Sequence, residues 1–302
     1  MTKSDNWITV ASLPLDLDNE LLGMELDRYR VKYSISKADN ECLLQVSRQQ
    51  EVPLAFAVLK QYQNLASTAT DTSVHGQAQR AWSPSSTGIS LAEQAKQVPV
   101  VVVILVLGLL GALLETLLPS AMHWFTFQDY KMINQQEGQL FPVAEAFGRG
   151  QYWRLLTPAF LHFGIAHVVF NCLWIWVFGR PIELLVGKTN FILVALGIAV
   201  SANVGQYLWE PNHIFGGLSG VVYGLLGYIW VRNSIAPHPL LQLPSGLVII
   251  MLSFLLIGWL GIIDIFLNGG VANGAHIIGL LVGMLFGRVA GLGARKSSNN
   301  GK

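Results

Sequence analysis

The sequence predicts an all-α polytopic membrane protein with six transmembrane helices, preceded by a small soluble α+β domain. Three observations carry this. Of the 302 residues, 52% are hydrophobic and only 12% are charged, where an ordinary soluble domain carries about 25% charge. From Val98 onward, apolar runs of spanning or near-spanning length recur between short polar loops. The first 66 residues instead mix strand-like and helix-like patterns. The net charge of +1 argues against nucleic acid as a partner. Cys42 and Cys172 lie far apart and make no metal-ligand spacing, so no metal, cofactor or disulfide framework is expected. The opening twenty residues have no apolar core of signal-peptide length, so no cleaved signal is expected.

In residues 1–66, "WITVASL" reads as a strand and "LDNELLGMELDRYR" as a helix, with Asp16 or Asp18 as its cap. "VKYSISK" and "CLLQVSR" alternate like a hairpin, and "VPLAFAVLKQYQNLA" is helical again. The order β-α-β-β-α makes a small α+β domain. Residues 67–97 are rich in Ser, Thr, Gln and Ala around "SPSSTG" and read as a flexible linker.

The membrane part is expected over 98–290. The apolar run from Val98 is long enough to span about 30 Å of hydrocarbon. Further spans are expected at Ala159–Phe178, Phe191–Trp209, Leu218–Val231, Gly246–Ile263 and Ala275–Val289. Between the first two, the aromatics and "YWRLLT" of Pro119–Pro158 suggest a loop at the membrane interface. Lys96, Arg180, Lys188, Arg232, Arg288, Arg295 and Lys296 fall on one side, which the positive-inside bias makes cytoplasmic, with both termini. Residues 291–302 read as a disordered cytoplasmic tail.

Within this frame, "FGGLSGVVYGLLGYIWVR" places one hydroxyl, Ser219, among glycines. Arg232 marks the cytoplasmic end of that helix, 232 − 219 = 13 residues on, so Ser219 lies about 20 Å above it. With a core about 30 Å thick, the helix begins about 10 Å below the outer surface. Irregular backbone at that depth requires surrounding protein or a water-filled cavity, so Ser219 is expected at the floor of a pit opening outward.

Gly216, Gly220 and Gly224 form a small-residue ladder that lets another helix approach. The matching stripe is in "ANGAHIIGLLVGMLFG", where His276 precedes Gly279, Gly283 and Gly287 by three, seven and eleven residues. An imidazole in a membrane is costly and functional by default, and it suits a general base. Ser219 and His276 are therefore the expected nucleophile and base. Tyr223, one turn below Ser219, is placed to support the imidazole. In "LHFGIAHVVFNCLWIW", His167 and Asn171 share a helix face and His162 lies near its outer end. Asn171 and His167, with the backbone N–H groups of Leu218 and Ser219, are candidate oxyanion donors. The acid nearest His276 is Asp264, in a polar, glycine-rich loop that water can reach, so a Ser–His dyad is expected rather than a triad.

Together "GGLSG", "AHIIGLLVG", "HFGIAHVVFN" and "YWR" resemble the rhomboid intramembrane serine proteases over about Val98–Ala290. The N-terminal domain and helix count resemble the bacterial GlpG type. The resemblance implies the six-helix rhomboid fold, a bacterial inner-membrane location, and cleavage of other membrane proteins' transmembrane segments near the outer face. It implies a Ser219–His276 dyad, oxyanion contacts from Asn171, His167 and Leu218, and support from Tyr223, Gly217 and His162. It also implies that Trp153 and Arg154 brace the first loop, that Glu183 holds a helix end, and that Gln206 keeps water near the site. Pro158 is a departure, since GlpG-type sequences often carry histidine there. Phe170 and Trp259 are candidates for the substrate's route or for plain packing. The alternative is a non-catalytic relative that binds and escorts membrane clients, which loss of the serine or histidine would mark.

Overall fold

The computed structural model describes residues 7–15, 17–38, 41–69, 83–84, 90–133, 138–244, 246–262 and 270–300. The chain divides into two compact units, Met1–Gln97 and Val98–Lys302.

The first unit runs β1 (Ile8–Leu13), α1 (Asn19–Arg28), β2 (Tyr33–Ala38), β3 (Glu41–Val46), α2 (Val52–Ala69), β4 (Ser83–Pro84) and α3 (Leu91–Gln97). The sheet order is β2-β3-β1-β4, with antiparallel pairs throughout. Asp18 caps α1 by accepting from the Glu20 and Leu21 N–H groups at 3.1 and 3.0 Å; Asp16 lies outside the described residues. Leu22 and Leu26 of α1 meet Leu13, Leu44 and Val46 of the sheet and Ala55 and Leu59 of α2 in one buried core. The stretch 67–97, read as linker, therefore contains a strand and a helix. The missed signal is "SLAE": the Ser90 hydroxyl accepts from the Glu93 N–H at 3.2 Å, and the Glu93 carboxylate accepts from the Ser90 N–H at 3.1 Å. That reciprocal box starts α3.

The second unit begins with α4 (Pro99–Leu117). A loop follows with a 3₁₀ turn at Pro119–Trp124, a hairpin of β5 (Tyr130–Met132) and β6 (Gly138–Leu140), α5 (Val143–Gly148), and 3₁₀ turns at Tyr152–Leu155 and Thr157–Phe160. Then come α6 (Ile165–Trp174), a π-helical turn (Ile175–Gly179), α7 (Arg180–Val186), α8 (Lys188–Trp209), α9 (Ser219–Ile235), α10 (Leu247–Trp259) and α11 (Asn273–Asn300).

Several boundaries differ from the sequence reading. Among the described residues, four helices are long and apolar enough to cross a membrane: Pro99–Leu117, Ile165–Val186, Lys188–Trp209 and Asn273–Ser297. The other two expected spans are the 17-residue α9 and the 13-residue α10. The second span starts six residues later than expected, because Gly164 at φ 119° breaks the chain direction before Ile165. It also runs on through the π turn to Val186, where Gly187 at φ 79° ends it. The tail read as disordered is helical to Asn300.

The centre of this unit is α9, buried along nearly its whole length from Gly220 to Ile229. At about 1.5 Å per residue its 17 residues cover about 25 Å, less than a hydrocarbon core. Its glycines let α11 close in. A Cβ on Gly279 or Gly283 would overlap the carbonyl of Gly220 or Gly224, and one on Gly287 would reach the Tyr228 backbone. Two helices meeting at such near-contact distance are a small-residue membrane crossing.

Candidate active site

The loop before α9 sets where the serine stands. Gly216 is pressed against Leu161 and the Pro158 carbonyl, where a Cβ would come within 2.8 and 2.9 Å. The Gly217 N–H donates to that same carbonyl at 3.0 Å. Gly217 has φ +118°, and a Cβ there would sit 2.8 Å from His167 Cε1, so both backbone and space demand glycine. The chain turns at Leu218, and α9 starts at Ser219.

Across the glycine seam, Ser219 Oγ and His276 Nε2 are 2.7 Å apart, within hydroxyl–imidazole hydrogen-bond range. Tyr223 lies on the imidazole, with ring centroids 4.8 Å apart at 38°. Its hydroxyl donates to the Met251 carbonyl of α10 at 3.0 Å. The first turn of α11, which carries His276, is fixed by Gln206, whose buried side-chain oxygen accepts from the Ala275 N–H at 3.1 Å. Gln206 thus satisfies a helix-end donor. Among the described residues, no carboxylate bonds the His276 ring; Asp264 lies outside the described residues. The hydroxyl–imidazole contact is the geometry in which a serine is deprotonated as it attacks.

The second cluster lies on α6 and the segment before it. Asn171 is buried and its Nδ2 has no hydrogen-bond partner; that nitrogen would lie 3.7 Å from a Cβ on Gly217. His167 borders the same glycine and meets His162 edge-on, with centroids 5.2 Å apart. An unpaired buried amide donor beside the serine loop is costly unless something accepts from it. Leu218, expected as an oxyanion donor, is engaged within the protein: its N–H points to His162 Nε2 at 3.4 Å. His162 Nδ1 lies 2.9 Å from the Phe160 carbonyl, which selects the tautomer that leaves Nε2 an acceptor. The His162 backbone N–H donates to Glu115 of α4.

The remaining residues stand away from the serine. Arg154 is fully buried; it donates to Gln151 at 2.8 Å and to the His123 and Thr126 carbonyls at 2.6 and 2.8 Å, and pairs with Asp129 at 3.5 Å. Trp153 donates from Nε1 to the Trp124 carbonyl at 2.9 Å. Glu183 of α7 accepts from the Val100 and Val101 N–H groups at 3.0 and 2.8 Å, capping α4. Pro158 is buried, and its carbonyl receives the Gly217 N–H. Phe170 is half exposed and meets Phe254 of α10 edge-on at 6.3 Å; Trp259, at the end of α10, is exposed.

Three residues escape sequence reasoning. Asp129 is the acid to which Arg154, Arg149 and His123 converge. Asn203 ties α8 to the loop through the Leu155 carbonyl at 2.9 Å. Glu115 holds the segment before α6. An Asn or Glu inside an apolar helix is the available signal for Asn203 and Glu115, but their partners are backbone groups that no pattern reveals.

Tyr223 provides a test at this level. Tyr223→Ala is expected to lose most turnover, because the imidazole loses its platform. Tyr223→Phe is expected to keep most of it and to cost about 1 kcal/mol of stability through the lost bond to Met251. Equal turnover in the two variants would remove the platform role.

A family model described as the Rhomboid domain matches residues 149–292. That span contains the glycine seam, the serine–histidine pair and the His167–Asn171 cluster. Over that span the chain carries a Rhomboid domain.

Proposed function

We propose that the chain is an intramembrane serine endopeptidase that cleaves transmembrane segments of other membrane proteins. The observation that carries this is the 2.7 Å contact between Ser219 Oγ and His276 Nε2. In the proposed cycle the Ser219 oxygen attacks the scissile carbonyl while His276 Nε2 takes its proton. The tetrahedral oxyanion accepts hydrogen bonds from Asn171 Nδ2 and His167, and from the backbone N–H groups of Leu218 and Ser219. The Leu218 N–H is released from His162 to do so. His276 then gives its proton to the leaving amine, which leaves an ester on Ser219. Water, deprotonated by His276, attacks that ester and frees the new carboxylate and the serine.

Tyr223 keeps the imidazole plane, and Gly217 and His162 shape the loop over which the oxyanion forms. A hydrogen-bonded helix withholds its carbonyls from attack, so substrates with small, helix-weak residues near the cut are expected. Cleavage near the outer face of a bacterial inner membrane, with both termini cytoplasmic, belongs to the same proposal. So does the division of the chain at 66, 97 and 290, with the first domain dispensable for chemistry.

Asn171→Ala is expected to lower turnover of a single-span substrate by roughly 10²-fold, the scale for one oxyanion donor, with His167→Ala acting in the same direction. The check is kcat together with thermal unfolding. If Asn171→Ala changed only stability, Asn171 would be a helix-packing residue. Deleting residues 1–90 is expected to leave turnover of the same substrate within about twofold. A folded truncation without activity would give the first domain a catalytic share.

A further inference from the structure

An apolar cavity lies beside the serine helix. It measures about 310 Å³ and opens between α4 and α8. Val103 and Leu107 of α4 and Ile192 and Leu196 of α8 line it, and Leu218, which precedes α9, and Val221 of α9 form its inner wall. Along α4 it extends from Pro99 to Leu107, eight residues or about 12 Å. The four outer side chains are 39–55% exposed, and both helices that frame the opening are long and apolar enough to span a bilayer. The opening therefore faces hydrocarbon. The lining is apolar, so water has nothing to bond there.

We propose that this crevice holds one acyl chain of an anionic phospholipid. Its size is the first argument: 310 Å³ is at the lower end of ligand sites, and a helix 10–12 Å across does not fit. A polypeptide span is thereby excluded and a single chain is not. Charge is the second. The α8 residues lining the cavity, Ile192, Ala195, Leu196 and Ala199, form one helical stripe. One turn before Ile192 the same stripe carries Lys188, exposed and in no ion pair among the described residues. An ammonium one turn beyond an acyl groove is placed for a lipid phosphate. The bound chain backs Leu218, the residue next to Ser219, and so stiffens the start of α9. This last consequence rests on the protease reading; the lipid site itself does not.

The test uses full-length protein in bilayers containing a phosphatidylglycerol with a photoreactive diazirine in one acyl chain. Labelled peptides are expected from α4 and α8. Ile192→Trp fills the mouth and is expected to cut that labelling at least fivefold. Leu193→Trp, on an exposed position outside the cavity, is expected to leave it unchanged. Lys188→Ala is expected to abolish the preference for phosphatidylglycerol over phosphatidylcholine with the same chain. Equal labelling in the two tryptophan variants would overturn the acyl site, and equal labelling by the two lipids in wild type would overturn the headgroup contact. Turnover is read in parallel, with Ile192→Trp expected to be several-fold slower than Leu193→Trp; equal rates would overturn the coupling to Leu218. A wild type that cleaves nothing would count against the protease reading while the labelling result stands.

Discussion

Ser219→Ala and His276→Ala are each expected to abolish substrate cleavage and to leave the protein folded. The expected loss in kcat is on the order of 10⁶-fold, the scale for removing a serine protease's nucleophile or its base. Either deletion breaks the 2.7 Å contact, and no second hydroxyl–imidazole pair is present among the described residues to replace it. Removing the serine hydroxyl opens a space of one atom at a helix N-terminus, which packing tolerates. Removing the imidazole takes away the ring against Tyr223, so His276→Ala should also show a modest loss of thermal stability. The two variants combined should be no worse than either alone, because the residues act as one unit. Multiplying losses in the double variant would mean that the two side chains act separately.

The second large effect is on the fold. Gly283→Val is expected to destabilise the membrane unit by roughly 3 kcal/mol or more, the upper end of overpacking. A Cβ at Gly283 would overlap the Gly224 carbonyl and come within 2.7 Å of its Cα. The obstruction is backbone, so no rotamer change relieves it. The helices must separate, and the serine and histidine they carry separate with them. Turnover should fall along with stability. Gly293 is the control: a Cβ there meets nothing within 4 Å, so Gly293→Ala should be neutral or gain up to about 1 kcal/mol in helix propensity. Unfolding in mixed micelles and turnover at a temperature where both variants are folded are the measurements. A Gly283→Val protein that melts with the wild type would show that the glycine seam does not hold the two helices together.

The serine and histidine were legible because chemistry and packing repeat in register. Gly279, Gly283 and Gly287 follow His276 at three, seven and eleven residues, and Gly220 and Gly224 follow Ser219 at one and five, so both stripes repeat every four residues. Two glycine faces can meet in few ways, so residues 57 apart in the chain are brought together by pattern alone. The β-α-β-β-α order was legible from alternation, and the capping Asp18 from its place before an apolar-periodic run. Helix ends were less so. The π turn at Ile175–Gly179 and the break at Gly164 are made by local backbone choices inside a continuous apolar run, where hydropathy carries no signal. The brace of the first loop was half legible. Arg154 stands out as a charge in an aromatic stretch, but its partners are mostly carbonyls and an Asp 25 residues upstream. The engagement of the Leu218 N–H by His162 had no signal at all, since it depends on the tautomer that the Phe160 carbonyl selects.

In the proposed cycle, His276 makes Ser219 a nucleophile. The most direct measurement treats membrane-reconstituted protein with a fluorophosphonate and maps the adduct by peptide mass spectrometry. One adduct is expected, on Ser219, in the wild type, with labelling lost in Ser219→Ala and slowed by orders of magnitude in His276→Ala. An adduct on another residue, or undiminished labelling of Ser219 without the histidine, would contradict it.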